Sequence, residues 1–276
     1  MTDDGSRLTL YHNDISTCAQ KVRLVLAEKD LAWKDRPLDL RRGDQREPAY
    51  RKLNPKGVVP TLVDTGAKGG EAVVTESSII IEYLDDAFPK PPLRPTDPAS
   101  RAQMREYVKL LDDKVHAMVG VLSFTIAFRH EYLALPGGGQ KMLDAARDSM
   151  ERVARAGMLE QGLEFPGVGI ALAAIDATLE QLDRALARTD YLVGDYSLAD
   201  AAWTPYLHRL NMLGLSSLWA DRLAVAAWWE RLSNRPSYEA AIKSVEKPER
   251  VAAIRSHAEA AAARLRQLRD PAAEAA

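Results

Sequence analysis

The chain has 276 residues, of which 46% are hydrophobic and 28% are charged, and its formal net charge is −2. This length and composition predict one large or two small globular domains and exclude a disordered or fibrous protein. Basic residues alternate with carboxylates along the chain, so we expect no nucleic-acid partner, because a row of phosphates requires a surface of one charge sign.

Cys18 is the single cysteine of the chain, which excludes an intrachain disulfide and a cysteine-based metal cluster. Residues 1–5 are acidic where a signal peptide would be basic, and no apolar run approaches the roughly 18 residues that span a bilayer. We therefore expect a cytoplasmic protein with no metal and no membrane partner.

The first elements in chain order are a strand, a helix and a second strand. Residues 8–12 predict a strand, because apolar and polar side chains alternate and strand-favouring residues are frequent. Residues 17–29 have helical periodicity, and a second strand is predicted over residues 33–40. The short crossover predicts that the two strands are parallel and joined by a right-handed connection.

A hairpin and a third segment of helix follow. Residues 58–63 and 72–75 are short β-branched runs separated by a Gly-rich turn, which predicts two antiparallel strands. Residues 77–88 resume a helical period. Together with the strand–helix–strand segment before them, these elements predict an α/β domain with a four-stranded mixed sheet. This domain ends at about residue 89.

The rest of the chain is predicted to be helical. Residues 90–97 are Pro-rich, so we predict an N-terminal domain over 1–89, a linker over 90–97 and an all-α domain over 98–276. The predicted helices of the second domain cover residues 104–129, 168–187, 198–212, 225–232 and 238–243. Ser197 and Asp200 form a capping-box pattern at one helix start.

Two segments of this helical domain have no assigned role from their pattern. The connection over residues 133–167 is too long for a simple loop, so it must carry structure or function. Residues 249–269 predict a tail helix with one narrow apolar stripe. That stripe either packs on the chain's own helices or forms a lid over a substrate pocket.

Four local motifs follow one another along the chain. They are Ser16-Thr-Cys-Ala-Gln-Lys-Val-Arg23, Asn54-Pro-Lys-Gly-Val-Val-Pro60, Thr75-Glu-Ser-Ser78 and Tyr191-Leu-Val-Gly-Asp-Tyr-Ser-Leu-Ala-Asp200. On these motifs the chain resembles bacterial cytosolic glutathione transferases over about residues 1–245. The resemblance implies a thioredoxin-like N-terminal domain, an all-helical C-terminal bundle, glutathione as co-substrate and a homodimer.

Ser16 is the candidate catalytic residue. It stands where the first helix begins, so its hydroxyl and the positive end of the helix dipole favour an anion beyond that end. A plain N-cap is the alternative for an isolated serine in this place. The resemblance implies that Ser16 donates a hydrogen bond to the glutathione sulfur. Cys18 lies two residues after the position of the family's catalytic cysteine, and Gln20 and Lys21 depart from the zeta-class isomerase motif.

The resemblance also implies contacts to the peptide part of glutathione. The residues concerned are Gln45, Lys56, Val59, Pro60, Glu76 and Ser77. The Val59–Pro60 bond is expected to be cis, so that Val59 pairs with the cysteinyl moiety like an added strand. Glu76 and Ser77 suit the zwitterionic γ-glutamyl end, and Lys56 is expected to reach the glycyl carboxylate. The alternative for Lys56 is a solvated surface lysine.

A pocket for the second substrate is expected in the helical domain and next to the Ser16 turn. Its predicted residues are Ile15, Tyr107, Leu111, His116 and Met118. An apolar stripe at helical spacing is more often core, and that alternative stays open. His116 has no partner with metal-ligand spacing. Asp112 or Asp113 reaches a neighbouring subunit's glutathione or forms a solvated helix face.

These expectations define the predicted function. We expect the glutathione thiolate to attack an electrophilic carbon of a small hydrophobic, aromatic molecule. Residues 93–98, the long connection and the C-terminal extension resemble bacterial β-etherases, which cleave β-aryl ethers with glutathione. The alternative from another class is a non-catalytic protein that uses the same fold to bind hydrophobic ligands.

Overall fold

A computed structural model describes residues 6–146 and 148–269. Its N-terminal elements are β1 (Leu8–His12), α1 (Thr17–Glu28), β2 (Lys34–Pro37), α2 (Pro48–Leu53), β3 (Thr61–Asp64), β4 (Ala72–Thr75) and α3 (Ser77–Ala87). The strand order is β2-β1-β3-β4, with β1 and β2 parallel and the other pairs antiparallel. The predicted four-stranded mixed sheet and thioredoxin-like domain are confirmed.

Two predicted strands are shorter than expected. The edge strand β2 ends at Pro37, because proline cannot continue the ladder of N–H donors. Residues 58–60 are irregular, with a bend at Val59, so the hairpin strand begins only at Thr61.

The helices that follow are α4 (Pro98–Leu110), α5 (His116–Ser123), α6 (Arg129–Ala134), α7 (Gly138–Asp144), α8 (Ser149–Gln161), α9 (Gly167–Leu186), α10 (Leu198–Met212), α11 (Leu223–Ser233), α12 (Pro236–Tyr238) and α13 (Pro248–Arg269). The chain is helical over the predicted range 104–129, but π-helical segments at Leu111–Val115 and Phe124–Phe128 interrupt the regular α-helix. A third π-helical segment, Glu239–Lys243, replaces most of the last predicted helix.

The chain divides into two compact units. The first contains the residues up to Leu111 together with Arg188–Pro205 and Ala227–Lys247, and the second contains the remainder. In the first unit, α1 and α3 pack together and bury Val22 and Ile80 completely. In the second unit, α5 packs on α9. The domain boundary at residues 90–97 stays a prediction.

The long connection has a structure of its own, as predicted, because it carries α7 and α8. Phe165 lies against Gly157 and Gly167, where an added Cβ would come within 2.9 and 2.3 Å of its ring, so both positions require glycine. Met142 is buried, whereas Met150 is 83% exposed. Among the described residues no single helix is long and apolar enough to cross a membrane, although 149–164 and 167–186, bent by 81°, pass as a pair by length and composition.

The apolar stripe of the tail helix α13 packs against other helices of the second unit. Its buried residues are Ile254, Ala258, Ala261 and Leu265. They face α9 and the π-helical segment Phe124–Phe128. Arg264 Nε donates to Glu164 Oε1 at 2.8 Å. This arrangement supports the first of the two predicted alternatives, packing on the chain's own helices.

Candidate functional site

Sheet register brings three of the predicted segments to one end of the sheet. Thr61, the first residue of β3, is in register with Tyr11 near the end of β1 and with Thr75 at the end of β4. The segments attached at this end are residues 13–16, 59–60 and 76–77. Residues that are distant in sequence therefore leave neighbouring strands at the same place, in the first compact unit.

Ser16 is the N-cap of α1, as predicted. Its Oγ accepts a hydrogen bond from the Ala19 N–H at 3.3 Å, and its carbonyl accepts from the Gln20 N–H at 2.8 Å. A serine hydroxyl that accepts one bond keeps its own proton for donation. The first turn of α1 contains no acidic residue that would oppose a bound anion. Ser16 is half-buried, so a ligand can reach it.

Cys18 is the second residue of α1 and its side chain is half-buried. It lies within the first turn that Ser16 caps.

Two side chains that were not predicted as site residues, Tyr50 and Asn54, hold the turn before β3. Tyr50 Oη donates to the Val58 carbonyl at 2.6 Å, and Asn54 Nδ2 donates to the same oxygen at 2.9 Å. The Val59–Pro60 bond is cis, as predicted. Asn54 was visible in the quoted motif, but Tyr50 had no signal beyond an aromatic residue in a polar segment.

Glu76 has a backbone conformation that non-glycine residues rarely adopt. Its φ is 65° and its ψ is 113°, at the position that precedes α3. Such conformations cost about 1–3 kcal/mol and cluster at functional sites. The Glu76 side chain makes no capping bond to α3, whereas Ser77 begins that helix and is buried.

Lys56 and Glu76 form an ion pair, with 2.6 Å between Nζ and Oε1. The resemblance predicts that these two residues contact opposite ends of the tripeptide. Both side chains are more than half exposed, at 66% and 53%. Exposed pairs contribute only about 0–1 kcal/mol, so either group can turn to a ligand at little cost.

Gln45 lies against the turn that contains Lys56. A Cβ at Gly57 would come within 3.0 Å of the Gln45 carbonyl oxygen, and Gly57 has a positive φ of 61°, so this position needs glycine. Gln45 Nε2 donates to the Leu40 carbonyl at 3.4 Å, and its buried Oε1 has no hydrogen-bond partner among the described residues. An amide oxygen left in this state favours an added donor.

The predicted second-substrate residues lie in two different compact units. Ile15, Tyr107 and Leu111 are in the first unit, where Ile15 and Leu111 are buried and the Tyr107 carbonyl accepts from Trp203 Nε1 at 3.1 Å. The other two, His116 and Met118, are in the second unit, where His116 Nδ1 lies 3.1 Å from Tyr206 Oη. Their assignment to one pocket stays a prediction.

A buried cation lies close behind this end of the sheet. Lys21 is completely buried, and its Nζ donates to Ser78 Oγ at 2.9 Å, which ties α1 to the start of α3.

No group of three His, Cys, Asp or Glu side chains within residues 6–146 and 148–269 is arranged to hold a metal ion.

Two family models match the chain. "Glutathione S-transferase, N-terminal domain" matches residues 15–87, which contain Ser16, the Val59–Pro60 bond and Glu76, and "Glutathione S-transferase, C-terminal domain" matches residues 166–236. The chain belongs to the glutathione S-transferase family. The predicted family and fold are thereby confirmed.

Individual relatives place the chain within this family. Protein LigF of Sphingobium sp. (strain NBRC 103272 / SYK-6) is 30% identical over 249 residues, which cover 83% of this chain and 91% of LigF. The crystal structure of the β-etherase LigF from strain SYK-6 has a TM-score of 0.72 at 25% identity and covers 86% of this chain and 99% of that one. Glutathione S-transferase Z2 of Arabidopsis thaliana is 43% identical over 97 residues, but that match spans only 41% of the relative and 35% of this chain.

Proposed function

We propose that the protein binds glutathione, stabilises its thiolate and transfers it to an electrophilic carbon of a small, hydrophobic aromatic molecule. The observation that carries this proposal is Ser16, a hydroxyl with a donatable proton at the start of α1, in a first turn without acidic residues. Membership in the glutathione S-transferase family supplies the identity of the thiol.

The energy required is within reach of this arrangement. Lowering a thiol pKa from about 8.5 by about two units requires roughly 2.7 kcal/mol in favour of the anion. A hydrogen bond to a charged group contributes about 1.5–3 kcal/mol, and a helix N-terminus about 0.3–1 kcal/mol. Ser16 therefore acts as a hydrogen-bond donor to the sulfur and not as a base or nucleophile.

We assign the peptide part of glutathione to the other segments at this end of the sheet. Val59 offers its backbone to the cysteinyl moiety, next to Pro60. Glu76 and Ser77 take the ammonium and carboxylate of the γ-glutamyl end. Gln45 and Lys56 take the far end of the tripeptide.

Replacing Glu76 by alanine should weaken glutathione binding about tenfold or more, because the ligand's ammonium group loses its charged partner. Isothermal titration of glutathione measures this. Glu71→Ala, which removes a carboxylate from the turn before β4, is the control and should leave affinity unchanged. Unchanged affinity of Glu76→Ala would reject the assignment.

Within this class we propose β-aryl ethers of two-ring aromatic molecules as substrates. The support is the similarity to LigF, which is described as a β-etherase, over 91% of its length. In this reaction the thiolate attacks the ether-bearing carbon, a C–S bond forms, the C–O bond breaks and a phenolate leaves. We propose further that the long connection enlarges the site for bulky molecules, a role in which Met150 takes no part because it is 83% exposed.

A competition between three electrophiles tests this proposal. The intact protein and glutathione are incubated with a two-ring β-aryl ether, a one-ring aromatic halide and a haloalkane. Release of a phenol together with a glutathione thioether supports ether cleavage. Turnover of the halide alone leaves a general transferase, and preference for the haloalkane contradicts the argument for bulky substrates. Glutathione binding without any turnover favours the non-catalytic ligand-binding alternative.

We also propose that the protein is a cytoplasmic homodimer. Two exposed apolar side chains of the first unit support a second copy: Ile79 of α3 is 58% exposed, and Val73 of the edge strand β4 is 41% exposed. Light scattering of the intact chain tests the dimer, and a monomeric mass contradicts it.

A further inference from the structure

Arg23 is a buried cation that the proposed chemistry does not use. It lies in the second turn of α1 and is 1% exposed. Its Nη1 donates to the Asn13 carbonyl at 3.0 Å, its Nη2 to the Asp14 carbonyl at 2.7 Å, and its Nε to the Ala241 carbonyl at 2.7 Å. One guanidinium thus binds the two carbonyls that precede Ile15 and Ser16 and also ties them to the segment 239–243.

A neighbouring histidine fixes the orientation of this guanidinium. Arg23 Nη1 lies 2.9 Å from His12 Nδ1, and His12 Nε2 contacts the Asp35 carboxylate. Arginine can only donate, so Nδ1 must accept and Nε2 must carry the ring proton that is donated to Asp35. Burial lowers the pKa of His12, and the charge of Arg23 acts in the same direction, which agrees with a neutral ring.

The charge of Arg23 persists in this environment. Burial lowers the pKa of its guanidinium to about 10, so the group remains cationic at neutral pH. The N–H groups of the planar guanidinium donate to three backbone carbonyls, in a geometry that the single ammonium group of lysine cannot reproduce.

We propose that Arg23 is a positioning residue for Ser16. The inference rests on the function proposed above. Ser16 points its hydroxyl correctly only while residues 13–16 keep the turn that gives the N-cap its φ of −66° and ψ of 117°. Arg23 holds this turn from within the helix that the turn begins, so the hydroxyl and the helix N-terminus stay aligned on one anion.

The test measures the pKa of the bound glutathione thiol, which a purely structural residue would not shift. Arg23→Lys should raise that pKa by about one unit and lower turnover about tenfold, while the KM for glutathione changes by less than about twofold. Arg235→Lys is the matched control. Arg235 also donates two hydrogen bonds to a residue of α1, the carboxylate of Glu28, but it does not contact residues 13–16. It should lower the melting temperature without shifting the thiol pKa.

A double substitution separates this proposal from the proposed function. In a Ser16→Ala background, Arg23→Lys should cause no further rise of the thiol pKa, because Arg23 acts through Ser16. An additional rise, or an unchanged pKa in Arg23→Lys alone, overturns the positioning role. If the wild-type protein itself does not lower the thiol pKa, the proposed function fails instead.

A milder variant covers the case in which Arg23→Lys does not fold. His12→Ala keeps Arg23 and the three carbonyls that it binds, and it removes the ring that orients the guanidinium. It should raise the thiol pKa in the same direction by a smaller amount. No rise in a folded His12→Ala protein counts against the proposal.

Discussion

Ser16→Ala is expected to lower turnover at saturating glutathione by about 10- to 100-fold, because the thiolate loses a hydrogen bond that contributes about 1.5–3 kcal/mol. The pKa of bound glutathione should rise towards the value of about 8.5 that a free thiol has. Ultraviolet titration of the thiolate in the binary complex measures the pKa, and steady-state kinetics measures the turnover. Glutathione affinity should change little, because Val59 and Glu76 remain in place.

Two further substitutions distinguish Ser16 from its neighbour. Ser16→Thr keeps the hydroxyl and should retain most of the activity. Cys18→Ala removes the thiol of the first turn, and it should leave turnover within about twofold, because the bond to the glutathione sulfur is assigned to Ser16. A fully active Ser16→Ala protein beside an inactive Cys18→Ala protein would reverse the assignment.

Elements with strong local patterns could be predicted from the sequence. β1 (Leu8–His12) and α10 (Leu198–Met212) begin and end at the predicted residues. In both cases alternation or helical periodicity coincides with turn or cap residues at the ends, so local preference and burial agree. The capping box of Ser197 and Asp200 was visible for the same reason.

Features that depend on tertiary contacts could not be predicted. The π-helical segments at 111–115 and 124–128 add residues to a helix whose apolar period continues across them. The ion pair of Lys56 and Glu76 depends on two turns that are far apart in sequence and meet in space.

Arg23 shows the same limit within the candidate site. In sequence it is one basic residue on an amphipathic helix, and such residues are usually solvated. Its burial follows from carbonyl groups of two separate segments, residues 13–14 and Ala241, which meet only in the folded chain. A sequence motif can therefore identify Ser16, but the residue that we propose positions Ser16 emerges only from the structure.

The largest expected effect on stability belongs to Asp200. Its side chain is completely buried, and its two oxygens accept four hydrogen bonds: from the Leu192 N–H at 3.1 Å, the Ser197 N–H at 2.9 Å, Ser197 Oγ at 2.9 Å and Trp228 Nε1 at 3.0 Å. Asp200→Asn places an NH2 group against two of these donors. Each buried donor without a partner costs about 1–3 kcal/mol, so we expect a loss of about 3 kcal/mol or more.

Asp97→Asn is the matched control for this substitution. Asp97 is the N-cap of α4 and also accepts a backbone hydrogen bond at a helix start, from the Ser100 N–H at 2.8 Å, but it is exposed. Asparagine is an equally good N-cap, so this change should cost only a few tenths of a kcal/mol. Urea unfolding of both variants measures the difference, and equal losses would contradict the role assigned to burial.

The pH dependence of the Asp200→Asn loss follows from the same burial. Burial raises the pKa of Asp200 to about 6, against its four hydrogen bonds, whereas an aspartate in the unfolded chain titrates near 3.9. The folded protein therefore binds the carboxyl proton of Asp200 more tightly than the unfolded chain does. The contribution of this proton to the free energy of unfolding declines as the pH rises from about 4 through about 6. Asparagine does not titrate, so the gap in unfolding free energy between the wild type and Asp200→Asn should be larger at about pH 5 than at about pH 7. A gap that widens as the pH rises would mean that the hydrogen bonds outweigh burial, and that Asp200 is a carboxylate throughout this range.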